Sequence, residues 1–171
     1  SFSFSNCNQL TIATFDNISS LNFGDFCFSD CQALSIVEFR QIDRIKLGSN
    51  LFKNCNSIER IAIAKSSSIE IGNECFANMT NLKSIAFIGQ SLILGENFVK
   101  KCRSLTFINI ETQSEITILT DTFIDCNLKN IQIITTANLN LNDSCFSHST
   151  NLEIVHFSGG SISVGNEIFN N

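Results

Sequence analysis

The residues of this chain best able to do chemistry are its eight cysteines, since a thiolate can attack a substrate, bind a metal or form a disulfide. Five of them share one position of a repeat of 23 or 24 residues and three share another; these are Cys7, Cys31, Cys55, Cys102 and Cys126, and then Cys27, Cys75 and Cys145. Other copies of the repeat carry Met, Leu, Ile, Thr or Phe there, which is typical of small buried hydrophobic side chains. No C-x-x-C motif or Cys/His cluster at zinc spacing occurs. We therefore expect buried free thiols, with disulfides or metal ligation as alternatives.

The two histidines and the carboxylates show no catalytic pattern. His148 falls in a predicted turn and His156 on a predicted sheet surface, where both side chains are expected to be solvated. No Ser/His/Asp grouping, phosphate-binding loop or recurring pair of carboxylates is present in the sequence. The sequence therefore predicts that the chain is not an enzyme, with no catalytic residues, no metal site and no cofactor.

Charge and hydropathy exclude two classes of partner. The 171 residues carry a net charge of −5 with only 11 Lys and Arg, so a nucleic-acid backbone is not the expected ligand. No run of about 18 apolar residues occurs, so this segment is not expected to insert directly into a membrane. Phe supplies all 16 aromatic residues, which indicates aromatic positions that face inward with no hydroxyl group to satisfy.

A phenylalanine that returns every 23 or 24 residues positions all of these side chains. This anchor position is occupied by Phe4, Phe28, Phe52, Phe76, Val99, Phe123, Phe146 and Phe169. Such a period over the whole chain predicts a stack of repeats. We expect each anchor to be covered by its neighbours, because one repeat cannot bury its own apolar side.

Three further patterns describe the repeat around its anchor. A glycine precedes most anchors by four residues, as at Gly24, Gly48 and Gly72, and is expected to adopt a positive φ in a sharp reversal. Apolar pairs such as Ile45 and Leu47 precede that glycine and predict a short strand. Apolar residues three and six positions after the anchor favour about two tight α or 3₁₀ turns, and L-x-x-I-x-F then predicts a second strand.

The predicted fold is therefore a leucine-rich-repeat solenoid of the α/β horseshoe type with about seven repeats. A parallel β-sheet lies on one face, with short strands and short helical turns on the other. Residues 1–171 are expected to form one solenoid domain. We interpret it as a portion of a longer protein, because neither end carries the atypical capping repeat of a complete solenoid.

The motif Gly-x-x-x-Phe-x-x-Cys-x-x-Leu-x-x-Ile-x-Phe resembles the BspA-like leucine-rich repeat; in Gly24–Phe39, Val37 takes the Ile position. The resemblance covers nearly the whole chain, although the proline that usually follows the strand in that family is absent. It implies adhesion and protein binding at a cell surface, as in members of bacteria and protist parasites. The compartment stays open, because free thiols favour a reducing one.

The outward strand positions are the candidate binding site. Large apolar side chains recur there among scattered charges and amides, a mixture that resembles a protein-binding patch on a concave face. The candidate residues are Ile36, Glu38, Arg40, Arg60, Ile88, Phe107, Asn109, Glu111, Ile134, Ile154 and His156. The alternative is that β-branched residues stand there for strand propensity alone.

The functional hypothesis is a protein-interaction module with one or more protein ligands of unknown identity. Its first form is a surface adhesion protein of the BspA-like kind. Its alternative is an intracellular structural scaffold within a larger assembly.

Overall fold

The computed structural model describes residues 3–170, which form a parallel β-solenoid of about seven turns. Within this range ten strands form two sheets. The strands are β1 (Ile12–Asn22), β2 (Ile36–Leu47), β3 (Arg60–Ile71), β4 (Ser84–Leu94), β5 (Phe107–Thr112), β6 (Ile116–Ile118), β7 (Asn130–Thr135), β8 (Asn138–Leu141), β9 (Ile154–Ser158) and β10 (Ser161–Val164). The predicted leucine-rich-repeat architecture is confirmed.

The first sheet has the order β1-β2-β3-β4-β5-β7-β9, and the second has the order β10-β8-β6. Successive strands pair in parallel at an offset of one repeat, as in Ile12 with Ile36 and Phe107 with Asn130. In the first four turns one strand of 11 or 12 residues covers both predicted strand positions. In the later turns the two predicted strand positions form two separate short strands, which is the arrangement that the sequence predicts for every repeat.

The predicted short helical turns are wrong: the structure contains no helix between residues 3 and 170. Single i→i+3 bonds do close tight turns, as from the Cys55 N–H to the Phe52 carbonyl (3.0 Å). Helix growth stops because Asn50 and Asn54, on either side of Phe52, have positive φ angles of 55° and 64°. The Phe52 N–H instead donates to the Cys75 carbonyl of the next repeat (2.8 Å). The turns are therefore hydrogen-bonded along the solenoid.

The expectation that the repeated glycine needs a positive φ is also wrong, since no described glycine has one. Glycine is required there because neighbouring repeats approach closely. A Cβ on Gly72 would lie 2.6 Å from the carbonyl carbon of Gly48, and one on Gly48 would lie 2.6 Å from that of Gly24. The left-handed residue comes two positions later, as at Asn50 and Glu74.

A column of phenylalanine rings forms the centre of the core. Phe52 is fully buried, and its ring stacks on those of Phe28 (5.5 Å between centroids) and Phe76 (5.9 Å). At the repeat with Val99 at the anchor position, the contacts run from Phe76 through Phe87 to Phe98, the residue just before Val99. Phe98 then packs on Phe123 at 5.6 Å. In this repeat the phenylalanine (Phe98) stands just before the anchor position and the smaller Val99 occupies it, the reverse of the arrangement in Phe-anchored repeats. The exchange keeps the core filled.

We expect Phe76→Ala to lower the free energy of unfolding by about 3–5 kcal/mol, because the side chain is fully buried and the cavity cannot collapse between two rigid neighbours. Phe4 is the matched control, since it occupies the same repeat position but is 47% exposed. Phe4→Ala should cost about 0.5–1.5 kcal/mol, which is the contribution of one ring pair. Chemical denaturation measures both changes, and equal losses would refute the ring column as the core.

We expect Gly72→Ala to destabilise the fold by about 1–3 kcal/mol, because the new methyl group would meet the backbone of the preceding repeat, which cannot move aside. Gly160→Ala is the control: its Cβ would lie 3.3 Å from the nearest backbone oxygens, and the variant should stay within about 1 kcal/mol of the parent. Thermal or chemical unfolding tests this pair, and a Gly72→Ala variant as stable as Gly160→Ala would contradict the close approach.

Candidate functional site: the outward face of the first sheet

The cysteines lie in the core and do not form a reactive centre. All eight are free; seven are buried and Cys7 is half-buried. The Sγ of Cys55 donates to the carbonyl of Phe28 (3.0 Å), and the Sγ of Cys102 donates to that of Phe76 (3.0 Å). Each of these thiols thus binds the anchor residue of the preceding repeat. Sequence reasoning treated cysteine only as a small hydrophobic residue and missed this bond.

Burial keeps the thiols protonated. It raises the pKa of Cys55, Cys102 and Cys145 from 9.0 to about 12, because a thiolate in the core would lose its hydration. Thiolate chemistry is therefore suppressed at these positions. Among the described residues, no cluster of three or more His, Cys, Asp or Glu side chains is able to hold a metal ion.

The strand register arranges the outward side chains of the first sheet in three rows, which we call the first-sheet face. From β3 onwards the first row is Arg60, Ser84, Phe107, Asn130 and Ile154, the second is Ala62, Ala86, Asn109, Gln132 and His156, and the third is Ala64, Ile88, Glu111, Ile134 and Ser158. On the earlier strands, Ile36, Glu38 and Arg40 of β2 pair with Ile12, Thr14 and Asp16 of β1.

None of the candidate residues is buried, and the structure brings them onto this one face. Ile36, Arg40, Arg60, Phe107, Ile154 and His156 are exposed, whereas Glu38, Ile88, Asn109, Glu111 and Ile134 are half-buried. The exposed fraction is 43% for Ile36, 39% for Phe107 and 57% for Ile154. Large apolar side chains at the first-row position therefore meet solvent on β2, β5 and β9. A binding role for these residues stays a prediction.

A polar cluster occupies the part of the face next to Phe107. The Asn109 Nδ2 donates to the Glu111 Oε1 (3.0 Å), and the Gln132 Nε2 donates to the same oxygen (3.4 Å). The Oδ1 atoms of Asn109 and Asn130 are buried without a hydrogen-bond partner. Sequence reasoning did not select Gln132 or Asn130, because a single amide on a strand carries no distinctive signal.

The charges of the face are partly paired. Glu38 and Arg40 form an ion pair within β2 (2.7 Å), and Glu59 pairs with Lys83 beside the first row (2.8 Å). The hydrogen bond and charge of Lys83 hold the pKa of Glu59 below its usual value. Arg60 forms no ion pair with any residue in the range 3–170, so its charge is available to a ligand.

The first sheet is interrupted between β2 and β3. Within residues 3–170, these strands pair only from Arg44–Ser68 to Leu47–Ile71. By contrast, β1 pairs with β2 from Ile12–Ile36, and β3 pairs with β4 from Arg60–Ser84. A cavity of about 470 Å³ lies at the interruption; its lining includes Ile36, Val37, Glu38, Glu59 and Arg60. The residue pattern of both strands is regular here, so this interruption could not be predicted from it.

We expect Cys7 to react with iodoacetamide in the folded protein while the other seven cysteines stay unmodified, because these are buried and burial raises the pKa of all seven. Mass spectrometry of digested samples, labelled before and after unfolding in denaturant, locates each modified residue. Alkylation of Cys55 or Cys102 in native buffer at the rate seen in denaturant would contradict the structure.

No helix long and apolar enough to cross a membrane occurs in the described part of the chain. Comparison with curated proteins gives no match, and comparison with solved structures gives none either. A family model does match: residues 1–119 and 70–171 correspond to a BspA type leucine rich repeat region, with 6 copies. The matched segments cover the whole solenoid and contain the same repeat that the strands and turns display. The chain therefore belongs to the BspA-type leucine-rich-repeat family.

Proposed function

We propose that this chain binds a protein partner through its first-sheet face. Membership of the BspA-type family indicates a protein-interaction repeat module, and such solenoids are typically not enzymes. The observation that carries the proposal is the exposure of Ile36 and Phe107 at the first-row position of strands whose inward neighbours, Val37 and Ile108, are buried. Strand propensity favours β-branched and aromatic residues, but it does not account for an arginine without an ion pair in the same row as an exposed phenylalanine.

The chemistry of the face favours a protein over other ligands. Phenylalanine and arginine are among the residue types enriched in protein interfaces. Phe107 and Arg60 supply them, and the Asn109–Glu111–Gln132 cluster adds hydrogen-bonding groups between apolar neighbours. Because the strands are held by their ladders, association does not have to order the backbone of most of this surface, which lowers the entropic cost of binding.

The setting of this interaction is proposed in two forms. Adhesion at a cell surface is supported by the family resemblance, and a structural scaffold within a cell is supported by the eight free cysteines. The thiols discriminate weakly between the two, because buried protonated thiols resist oxidation in either compartment. Antibody staining of intact and of permeabilised cells separates them: staining of intact cells favours adhesion, and staining only after permeabilisation favours the scaffold.

We expect Phe107→Ala and Arg60→Glu each to weaken partner binding by about tenfold or more, because each removes an exposed group of the type that dominates protein interfaces. The control is Ile93→Ala, which removes an exposed apolar side chain (59%) from the second half of β4, away from the first-sheet face. Partners captured from source cells by the parent chain are then titrated against all three variants.

The proposal requires a partner whose affinity falls for Phe107→Ala and Arg60→Glu but not for Ile93→Ala. Circular dichroism spectra establish that each variant is folded. Equal affinity of the parent and the two face variants would move the binding site away from the first-sheet face. Loss of binding by Ile93→Ala alone would place it near the second half of β4.

A further inference from the structure

A polar groove crosses three successive turns of the solenoid and lies outside the first-sheet face. It contains a cavity of about 280 Å³, and the residues that line it, which we call the turn groove, are Asn54, Asn56, Asn78, Thr80, Lys101 and Arg103. Each turn contributes the two residues on either side of a buried core residue, which is Cys55, Met79 or Cys102. The groove therefore has two polar walls, and each turn supplies one residue to each wall.

The first wall is a ladder of hydrogen-bonded side chains that ends at a lysine. The Asn54 Nδ2 donates to the Asp30 Oδ1 (2.7 Å), and the Asn78 Nδ2 donates to the Asn54 Oδ1 (3.2 Å). Lys101 occupies the same position in the next turn. Its φ angle of 62° is close to the 64° of Asn54 and the 60° of Asn78. The ladder of amides is thus continued by an ammonium group.

The second wall has the same construction and ends at an arginine. The Asn56 Nδ2 donates to the Gln32 Oε1 (3.3 Å), and the Thr80 Oγ1 donates to the Asn56 Oδ1 (3.1 Å). Arg103 occupies the corresponding position in the next turn. Both walls therefore reach a cation in the same turn of the solenoid.

The two cations of the groove are unpaired. Lys101 and Arg103 are exposed, and neither forms an ion pair with a residue in the range 3–170. Asp125, which follows Lys101 in the next turn, is therefore not bound to it. Residues 100–103 hold three of the 11 Lys and Arg residues in a chain whose net charge is −5. Such a local excess of positive charge attracts anions.

The carboxylate of Glu74 is close to these cations but is already bound. Lys53 forms an ion pair with it (2.7 Å). The hydrogen bond from Lys53 holds the pKa of Glu74 below its usual value, and the charges of Lys100 and Lys101 add to this effect. The positive charge of residues 100–103 is thus left for an anion from outside the chain.

The chemistry of the groove favours an acidic carbohydrate over other anions. A protein interface has an apolar core with aromatic side chains, and single-stranded nucleic acid stacks its bases on aromatic rings. The turn groove offers neither, because all six lining residues are polar or charged. A sugar ring carries several hydroxyl groups, each of which donates and accepts a hydrogen bond, as the amides and the hydroxyl of the walls require. A carboxylate or sulfate on the ring matches the guanidinium and ammonium groups.

We infer that the turn groove binds an acidic carbohydrate, whose anionic group is held by Lys101 and Arg103. Its hydroxyl groups bond to the amides of Asn54 and Asn78 and to the hydroxyl of Thr80. Because both walls extend over three turns, a short chain of sugars fits along the solenoid. The site lies apart from the first-sheet face and takes a different class of ligand, so the inference goes beyond the proposed protein partner.

Titration followed by NMR tests the site with three trimeric probes. Trigalacturonic acid is an acidic sugar, maltotriose is a neutral one, and acetylated and amidated tri-aspartate is a peptide with as many carboxylates as the acidic sugar. At millimolar concentration, trigalacturonic acid should shift the side-chain amide signals of Asn54 and Asn78 and the Nε–H signal of Arg103. The other two should bind about tenfold more weakly or less, because maltotriose lacks the charge and tri-aspartate lacks the hydroxyl groups. A heparin tetrasaccharide, titrated separately, shows whether sulfate is preferred to carboxylate.

Matched variants locate the binding energy. Lys101→Gln and Arg103→Gln should each weaken trigalacturonic acid binding by about tenfold or more. The control is Arg44→Gln, which removes an exposed arginine without an ion pair from the second half of β2 and should change the affinity by less than about twofold. Thr80→Val keeps the shape of the side chain and removes its hydroxyl, so it should weaken sugar binding about threefold and leave tri-aspartate binding unchanged. Circular dichroism spectra establish that each variant is folded.

Three results would overturn the inference. The first is the absence of shifts at Asn54, Asn78 and Arg103 with both acidic sugars. The second is equal affinity for tri-aspartate and trigalacturonic acid, which would show an acidic peptide to be the ligand. The third is an equal loss in Arg44→Gln and Arg103→Gln, which would show attraction to the charge of the whole chain.

These outcomes are separate from a failure of the proposed function. Phe107→Ala should bind trigalacturonic acid as the parent does, and Arg103→Gln should bind the protein partner as the parent does. Loss of sugar binding in Arg103→Gln together with unchanged partner affinity in Phe107→Ala would keep the turn groove and reject the first-sheet face. The converse pair of results would keep the face and reject the groove.

Discussion

The backbone hydrogen bonds that join each turn of the solenoid to the next are the constraint on which the rest of the structure depends. They run along the strands and also through the turns, where the Phe52 N–H bonds to Cys75 and the Asn54 N–H bonds to Ala77. A residue whose N–H is committed to the next repeat cannot use it for an i→i−4 bond, so a helix does not form. The same constraint brings the backbones of successive turns so close that Gly48 and Gly72 have no room for a side chain.

Stacking at a fixed offset also places like residues on like residues, and the core consists of such columns. The ring column shows how a substitution is absorbed: where Val99 replaces phenylalanine, Phe98 and Phe87 carry the aromatic contacts past it. Polar columns follow the same rule at the turns, where the Asn78 amide donates to Asn54 (3.2 Å) and the Asn54 amide donates to Asp30 (2.7 Å). The thiols of Cys55 and Cys102 complete the pattern by bonding to carbonyls of the preceding turn.

The positions available for function are those whose side chains are not needed for the stacking of the turns. The outward residues of the first sheet are free to vary, and there the regular columns give way to single side chains such as Arg60 and Phe107. The first-sheet ladder is also interrupted between β2 and β3, which pair only from Arg44 and Ser68 onwards, and a cavity lies at this interruption. A surface of fixed shape suits the recognition of another protein by its outward side chains.

The sequence by itself determined the repeat, its strands, its buried anchors and the side chains that face outward, because periodic burial is recorded directly in the residue types. It predicted Phe52 and Phe76 as core and Ile36, Phe107 and Ile154 as surface from their place in the repeat alone. The tertiary structure decided what depends on the distance between neighbouring turns. That distance, which no single repeat encodes, determines why Gly72 must be glycine, why the turns at Asn50 and Asn54 are not helical, and where β2 and β3 separate.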